Sequence, residues 1–384
     1  MPPFALDETT FNKSGRIAWV DYAKGFCIVF VVMMHATLGV EKYAAERGIT
    51  AIGDTGFMNY VVTFAQPFRM PDFFLISGLF LGLVIARPWL RYLDRKVVHF
   101  AYFYVLWLVV QFAFKGVGWI AEGVPVTDIG EKFVLALVQP YGTLWFIYML
   151  PVMFLVTRLL SRIPWFVILA IAAILEIAPV KTGNLLIDEF AARYVYFFAG
   201  YALASPIFTL AAWARDNMNK ALGYLAAWVL VNGIFTFTAI PAFLATTIAE
   251  RGWDVPVNLA HLPFVSLALG AAGAVAVVCL SAVLSRFRMA SFLRYLGENS
   301  IAVYLAFFLP MIVVREILLR FAPWMDLGTM SLIVLAASVI GPVIALEFTR
   351  FTGWFRFLFV RPRWAWLEKQ PPNKSADAGL QPAE

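Results

Sequence analysis

Residues 16–40 read RIAWVDYAKGFCIVFVVMMHATLGV, and this stretch decides the fold class. A membrane-crossing helix needs about 20 mostly apolar residues, and the run behind Arg16 supplies them. The residues before it are polar, and no small-residue cleavage site follows. It therefore reads as a retained first span rather than a cleaved signal peptide.

The rest of the chain repeats the pattern. Of 384 residues, 62% are hydrophobic and only 14% charged, with a mean hydropathy of +0.79. Soluble domains carry about 25% charged residues, and a single core stops growing at about 250–300 residues. Collagen, coiled coil, disordered chain and disulfide scaffold are excluded by the same composition. Apolar runs near 17–39, 58–85, 97–117, 143–160, 164–180, 191–212, 219–243, 259–284, 300–319 and 328–349 predict an all-α polytopic membrane protein of about ten transmembrane helices. Residues 118–142 are polar enough to hold an interfacial segment.

With the N-terminus in the cytoplasm, alternate loops place 19 Lys and Arg inside and 7 outside, as the positive-inside rule requires. Both termini are thus expected in the cytoplasm. Residues 1–16 form a cytoplasmic segment, 17–350 the membrane domain, and 351–384 a basic, partly disordered tail. The net charge of +6 describes topology and lends no support to a nucleic-acid partner. Cys27 and Cys279 lie in apolar runs, and there are three His (His35, His99, His261). Neither a disulfide framework nor a metal site is expected.

Ionisable residues inside a bilayer are costly and mark function by default. At about 100° per residue, Asp21, Lys24 and His35 fall within a sector of roughly 60°. Asp21 and Lys24 are also i,i+3 neighbours able to pair. His35 lies about 16 Å along the helix from Lys24, so the stripe runs from the cytoplasmic end towards the outer leaflet. The bland alternatives are a snorkelling Asp–Lys pair and a structural His.

The second span, NYVVTFAQPFRMPDFFLISGLFL (59–81), is polar where lipid forbids it. Arg69 lies near the midplane, with Asp72 as the obvious local partner. Pro67 and Pro71 remove helix hydrogen bonds, which predicts a broken helix lining a cavity. Asn59, Gln66 and Arg69 share a face. Below, Arg87, Arg91, Arg95 and Lys96 cluster at the cytoplasmic mouth with His99 one turn in. Such a cluster is a topology signal, or the countercharge for a polyanionic cytosolic ligand. Arg315–Glu316, Arg193 and Glu347 read as helix-packing pairs, and His261 as an interface residue.

These residues resemble the acyltransferase-3 family of integral membrane O-acyltransferases. Its first span carries a basic residue, ten others and then His; here VDYAKGFCIVFVVMMH keeps that spacing from Lys24 to His35, with Lys for the usual Arg. FRMPDFFLISGLFL is similar to the family's FRMPLFFFLSG segment. RYLDRK, LWFIYML with Trp145, YVYFFAGYAL and GENSIAVYL with Asn299 add weaker likenesses. The first segment is closest to fucose O-acetylases, while the late GENSIAVYLAFF and FRFLFVRP are similar to succinyltransferases of periplasmic glucans. Many members carry a His where Phe307 stands here, so a role for that His does not transfer.

The resemblance implies transfer of an acyl group, acetyl or succinyl, from cytosolic acyl-CoA to a hydroxyl of a cell-envelope carbohydrate such as a periplasmic glucan. The location implied is a bacterial-type inner membrane. His35 would act as general base or as transient acyl carrier, with Lys24 and Asp21 setting the charge state of the stripe. Arg69 would stabilise the oxyanion. Asp72, Ser77, Gln66, Trp145 and Asn299 would contact substrate, and Arg91 and Arg95 the coenzyme A phosphates. Acyl-CoA is a co-substrate, and no tightly bound cofactor is expected. Lipid, acyl-CoA and a carbohydrate acceptor are the expected partners, with a homo-oligomer or a glycan-assembly partner left open. A secondary transporter or exporter would need the same intramembrane charges, together with the inverted repeats that the sequence does not display. A structural subunit of a polysaccharide assembly is the third reading.

Overall fold

The computed structural model describes residues 2–6, 16–49, 56–250, 254–287 and 290–368. Most of the segment 1–16 and the tail from 369 onward, expected to be partly disordered, lie outside them. The helices are α1 (Ala18–Glu46), α2 (Phe57–Gly78) and a short α3 (Trp89–Leu93), which runs through a π turn (Asp94–Val98) into α4 (His99–Ala121). Then come α5 (Val126–Val138), α6 (Trp145–Leu159), α7 (Trp165–Ile177), α8 (Leu185–Ala202), α9 (Ala204–Asp216), α10 (Met218–Phe237) and α11 (Ala242–Glu250). The last are α12 (Val265–Arg286), α13 (Ser291–Glu298), α14 (Ser300–Ala306), α15 (Phe308–Phe321) and α16 (Leu327–Thr352). Among the described residues no strand forms beyond one bridge, between Ala239 and Asn258.

Every predicted span falls on helix. Six helices or helix runs are long and apolar enough to cross a membrane, and eight when each of two bent pairs counts as one. The other two expected spans are α2, which carries Arg69 and Asp72, and α7, whose 13 residues fall short of the roughly 20 a crossing needs. Within 118–142, the segment expected at the interface, α5 forms and stays largely exposed.

The breaks fall elsewhere than expected. α2 runs unbroken through Pro67 and Pro71, whereas α8–α9 bends by 77° and α14–α15 by 46°. A proline ring clashes with the carbonyl four residues earlier. For Pro206 that carbonyl belongs to Ala202, and for Pro310 to Ala306, the last residues before each bend. Both prolines then sit in the first turn of the next helix, where their missing N–H costs nothing. In α2 a neighbour supports the weakened turn instead: Asn232 Nδ2 of α10 donates to the Phe64 carbonyl at 2.8 Å, beside the Thr63 carbonyl that Pro67 leaves without its donor.

Alternate helix ends gather on two faces. On one face, Arg16 pairs with Glu298 at 3.1 Å, Phe4 meets Trp165 and the Ser205 amide, and Arg361 reaches Asp94. On the other, Arg47 pairs with Glu316, and Lys181 with Asp254 at 2.5 Å. The Lys181 ammonium holds the Asp254 carboxyl below its ordinary value.

The core is set by backbone-close crossings. α1 lies against α2, α12, α13 and α16, and α2 against α8 and α12. A Cβ on Gly297 of α13 would sit 1.6 Å from the Asp21 carbonyl oxygen, and one on Gly25 2.1 Å from that of Leu293. Gly78 and Gly200 serve the α2–α8 crossing in the same way, at 2.1 Å from the Phe197 oxygen and 2.0 Å from the Leu75 oxygen. Without a hydrophobic drive between helices in lipid, such contacts supply much of the association. Gly297→Ala should therefore lower the thermal unfolding midpoint in detergent, by at least the roughly 1–3 kcal/mol of an overpacked core. Gly116→Ala, whose Cβ would meet nothing within 4 Å, should be neutral or stabilise by up to about 1 kcal/mol. An unmoved midpoint for Gly297→Ala would disprove the crossing.

Candidate active site

The stripe on α1 is built, with one partner added. Asp21 is buried, and its carboxylate is approached by Arg294 of α13, Nε to Oδ2 3.9 Å. Lys24 makes no close ion pair or hydrogen bond among the described residues, yet it is the charge that bears most on Asp21, ahead of Arg16 and Arg294. The glycine crossing brings α13 onto the Asp21 turn, and Arg294 comes with it as a further cation. Arg294 also pairs with Glu298 at 3.1 Å, and Glu298 with Arg16. Further along, His35 Nε2 is buried without a hydrogen-bond partner, as is Thr37 Oγ1 two residues on. The His35 ring packs on Phe307, with centroids 5.5 Å apart. Phe307 thus faces His35 as an aromatic wall.

Arg69 is 8% exposed, and its Nε and Nη1 have no hydrogen-bond partner. The charge that bears on His35 is this guanidinium, and the charge that bears on Arg69 is Arg193 of α8. Spans one and two pack against each other, with Arg69 the charge that bears on His35. The expected Arg69–Asp72 pair is absent. Asp72 is 2% exposed with Oδ1 unpartnered, and its charge bears on Cys27, Tyr196 and Tyr224 instead. Helical side chains lean towards the N-terminus. The long Arg69 therefore reaches away from Asp72 one turn behind it, while the short carboxyl stays level with its own turn. The opposite order, acid before base, is the one that pairs well.

Aromatic rings wall this turn. Phe73 stacks on Phe146 at 4.2 Å, and Phe74 lies 6.0 Å from Trp145. The Tyr304 hydroxyl donates to the Thr143 carbonyl and accepts from the Phe146 amide, pinning the start of α6 to α14. Trp145 is thereby placed beside α2. Gln66, three residues before Arg69, is exposed, while the Ser77 hydroxyl donates to its own helix at the Phe73 carbonyl, 2.7 Å. Asn299 is distant from His35 in role: its amide donates to the Tyr295 carbonyl and accepts from Arg350 at 2.7 Å, which makes it a joint between α13 and α16.

At the face bearing the helix starts of α1 and α4, Arg91 lies 3.6 Å from Glu368, and Arg95 sits over the Trp366 ring at 4.5 Å. Sequence reasoning missed the element responsible, a strap from Gly353 to Glu368 that folds back along α4. Arg361 is its anchor: Nη2 pairs with Asp94 Oδ1 at 3.0 Å and Nη1 donates to the Asp94 carbonyl at 2.8 Å. Burial lowers the Arg361 guanidinium from its ordinary value, while Asp94 pulls it back up. FRFLFVRP was the signal available, but its partner lies 267 residues away. The expected packing pairs are present: Arg193–Glu189, Arg315–Glu316 and Arg350–Glu347. His261 Nδ1 meets Asn258 Oδ1 at 2.6 Å near the helix ends. Among the described residues no group of three or more His, Cys, Asp or Glu could hold a metal ion.

A buried base beside an uncompensated guanidinium, in an all-helical membrane bundle, is an arrangement suited to deprotonating a hydroxyl and stabilising an oxyanion. The acyltransferase domain family matches residues 17–347, from the start of α1 into the last turns of α16, and the chain belongs to it. The chain is also similar to the inner membrane protein YcfT of Escherichia coli (strain K12), with 24% identity over 311 residues, which is 74% of this chain and 77% of that protein. No solved structure matches.

The strap makes a prediction of its own. Arg361→Met leaves Asp94, 0% exposed, buried without its cation, which should cost about 3–5 kcal/mol of stability. Adding Asp94→Leu should restore most of the loss. Thermal unfolding of the three proteins in one detergent checks this, and an unrecovered double variant would contradict it.

Proposed function

We propose that the chain transfers an acetyl or succinyl group from cytosolic acyl-CoA to a hydroxyl of a cell-envelope carbohydrate, such as a periplasmic glucan, across the inner membrane. The observation that carries this reading is the Arg69 charge bearing on His35, both residues with buried donor or acceptor atoms left unpaired. Each unsatisfied buried polar group costs about 1–3 kcal/mol, and here a base and a cation carry that cost on the packed helices α1 and α2.

The chemistry balances on these two residues. His35 Nε2 takes the proton of the acceptor hydroxyl, whose oxygen attacks the thioester carbonyl. The oxygen of the tetrahedral intermediate draws its negative charge against the Arg69 guanidinium, in a low dielectric that strengthens the attraction. Collapse breaks the carbon–sulfur bond, and the departing thiolate takes the proton from His35. Asp21 and Lys24 set the charge of the stripe below, and Trp145 and the Phe73–Phe74 rings exclude water. The excess of Lys and Arg at the face of Arg91 and Arg95 favours that face as cytosolic, so the donor enters there and the acceptor from the opposite side. YcfT, by its name an inner membrane protein, supports the same location.

His35→Ala should abolish transfer from radiolabelled acetyl- or succinyl-CoA to envelope glycans, by at least about 100-fold as expected for loss of a general base, with CoA binding retained. Arg69→Lys, which keeps the charge but not the fork, should lower turnover more than affinity. Full transfer by His35→Ala would sink the assignment. Counterflow of a small solute without acyl-CoA would favour a transporter.

A further inference from the structure

The donor end of the site contains more than Arg91 and Arg95. Arg95 Cζ lies over the Trp366 ring at 4.5 Å, and Arg361 Cζ over the same ring at 4.2 Å. A guanidinium held over a ring by its π system keeps its N–H groups available as hydrogen-bond donors. The two arginines differ in how those donors are used. Arg361 places both Nη atoms on Asp94, whereas Arg95 has no ion pair among the described residues; the Nε of each is buried without a hydrogen-bond partner. His99 Nε2, also buried and unpartnered, lies among the charges of Arg361, Lys96 and Arg95.

The strap is held firmly enough to fix this arrangement. The Leu367 amide donates to Asp94 Oδ1 at 2.8 Å, the Trp366 indole to the Arg361 carbonyl at 3.2 Å, and Trp107 Nε1 to the Leu358 carbonyl at 2.9 Å. The turn it grips is the π turn Asp94–Val98, and such turns recur at functional sites. Asp94 pairs with Arg361 and Glu368 with Arg91, which leaves the Arg95 guanidinium, without an ion pair among the described residues, for a polyanion to neutralise.

We infer that the C-terminal strap is part of the donor site: Trp366, clamped by Arg361, holds Arg95 in register so that Arg95 and His99 bind a phosphate of the donor. Trp366 and Arg361 are positioning residues, while Arg95 and His99 touch the ligand. This rests on the acyl-CoA reading above and adds residues outside the segment that the family match covers.

The test is equilibrium binding of tritiated coenzyme A to the purified full chain in detergent, with thermal unfolding recorded for each variant. Trp366→Ala should weaken binding at least tenfold, and Trp366→Tyr, which keeps a π face, should restore it to within about threefold. Arg95→Ala and His99→Ala should each weaken binding by a comparable factor. Trp366→Leu retains apolar bulk without the π face, and decides the matter if the alanine variant fails to fold; it too should lose tenfold. Coenzyme A binding lost in Arg95→Ala but unchanged in Trp366→Leu overturns this inference alone. No binding by the unaltered protein overturns it together with the acyl-CoA reading.

Discussion

Helices in lipid gain nothing from hiding apolar side chains from water, so what holds this bundle is how closely its backbones approach. Gly25 and Gly297 let α13 lie on α1, and Gly78 and Gly200 let α8 lie on α2. Gly270 admits the Tyr196 hydroxyl and Gly273 the Phe68 side chain, which closes α12 onto α8 and α2. These contacts leave α1 and α2 no freedom to slide. Arg69 is consequently held towards α1 and α8, facing His35 and Arg193, and cannot relax to a partner of its own.

The pattern of compensation separates structure from chemistry. Arg315 is stacked on Tyr43 at 3.7 Å and paired with Glu316, which also holds Arg47. Arg350 is shared by Glu347, Tyr295 and Asn299, and Arg361 belongs to Asp94. In each case the charge is answered within the protein. His35, Arg69, Asp72 and Arg95 have buried polar atoms without a hydrogen-bond partner, as Arg350 Nε and Arg361 Nε do, but unlike those two arginines they have no ion pair among the described residues. Leaving them so is expensive in a low dielectric, and the fold bears that cost at one internal site and at one mouth.

Much of this was legible before any coordinates. The ten apolar runs lie on helices, the polar stretch 118–142 carries an exposed helix, and the stripe of Asp21, Lys24 and His35 is present on α1. What failed was pairing. Asp21 with Lys24 and Arg69 with Asp72 looked like local partners from their i,i+3 spacing, yet side-chain direction separates the second pair, and at the first an incoming helix adds Arg294 while Lys24 acts on Asp21 without a close contact. The prolines misled for a related reason. Pro67 and Pro71 stand in a helix that Asn232 supports from α10, while Pro206 and Pro310 bend helices whose runs looked continuous.

Hydropathy and charge are properties of consecutive residues, so the membrane helices and the charges placed where lipid penalises them could be read along the chain. Which of those charges remain unanswered depends on helices far apart in the chain: α13 at Asp21, α8 at Arg69, and a strap at Asp94. Compensation of a buried charge is set by what packs within a few ångströms of it, and no periodicity along the chain records those neighbours.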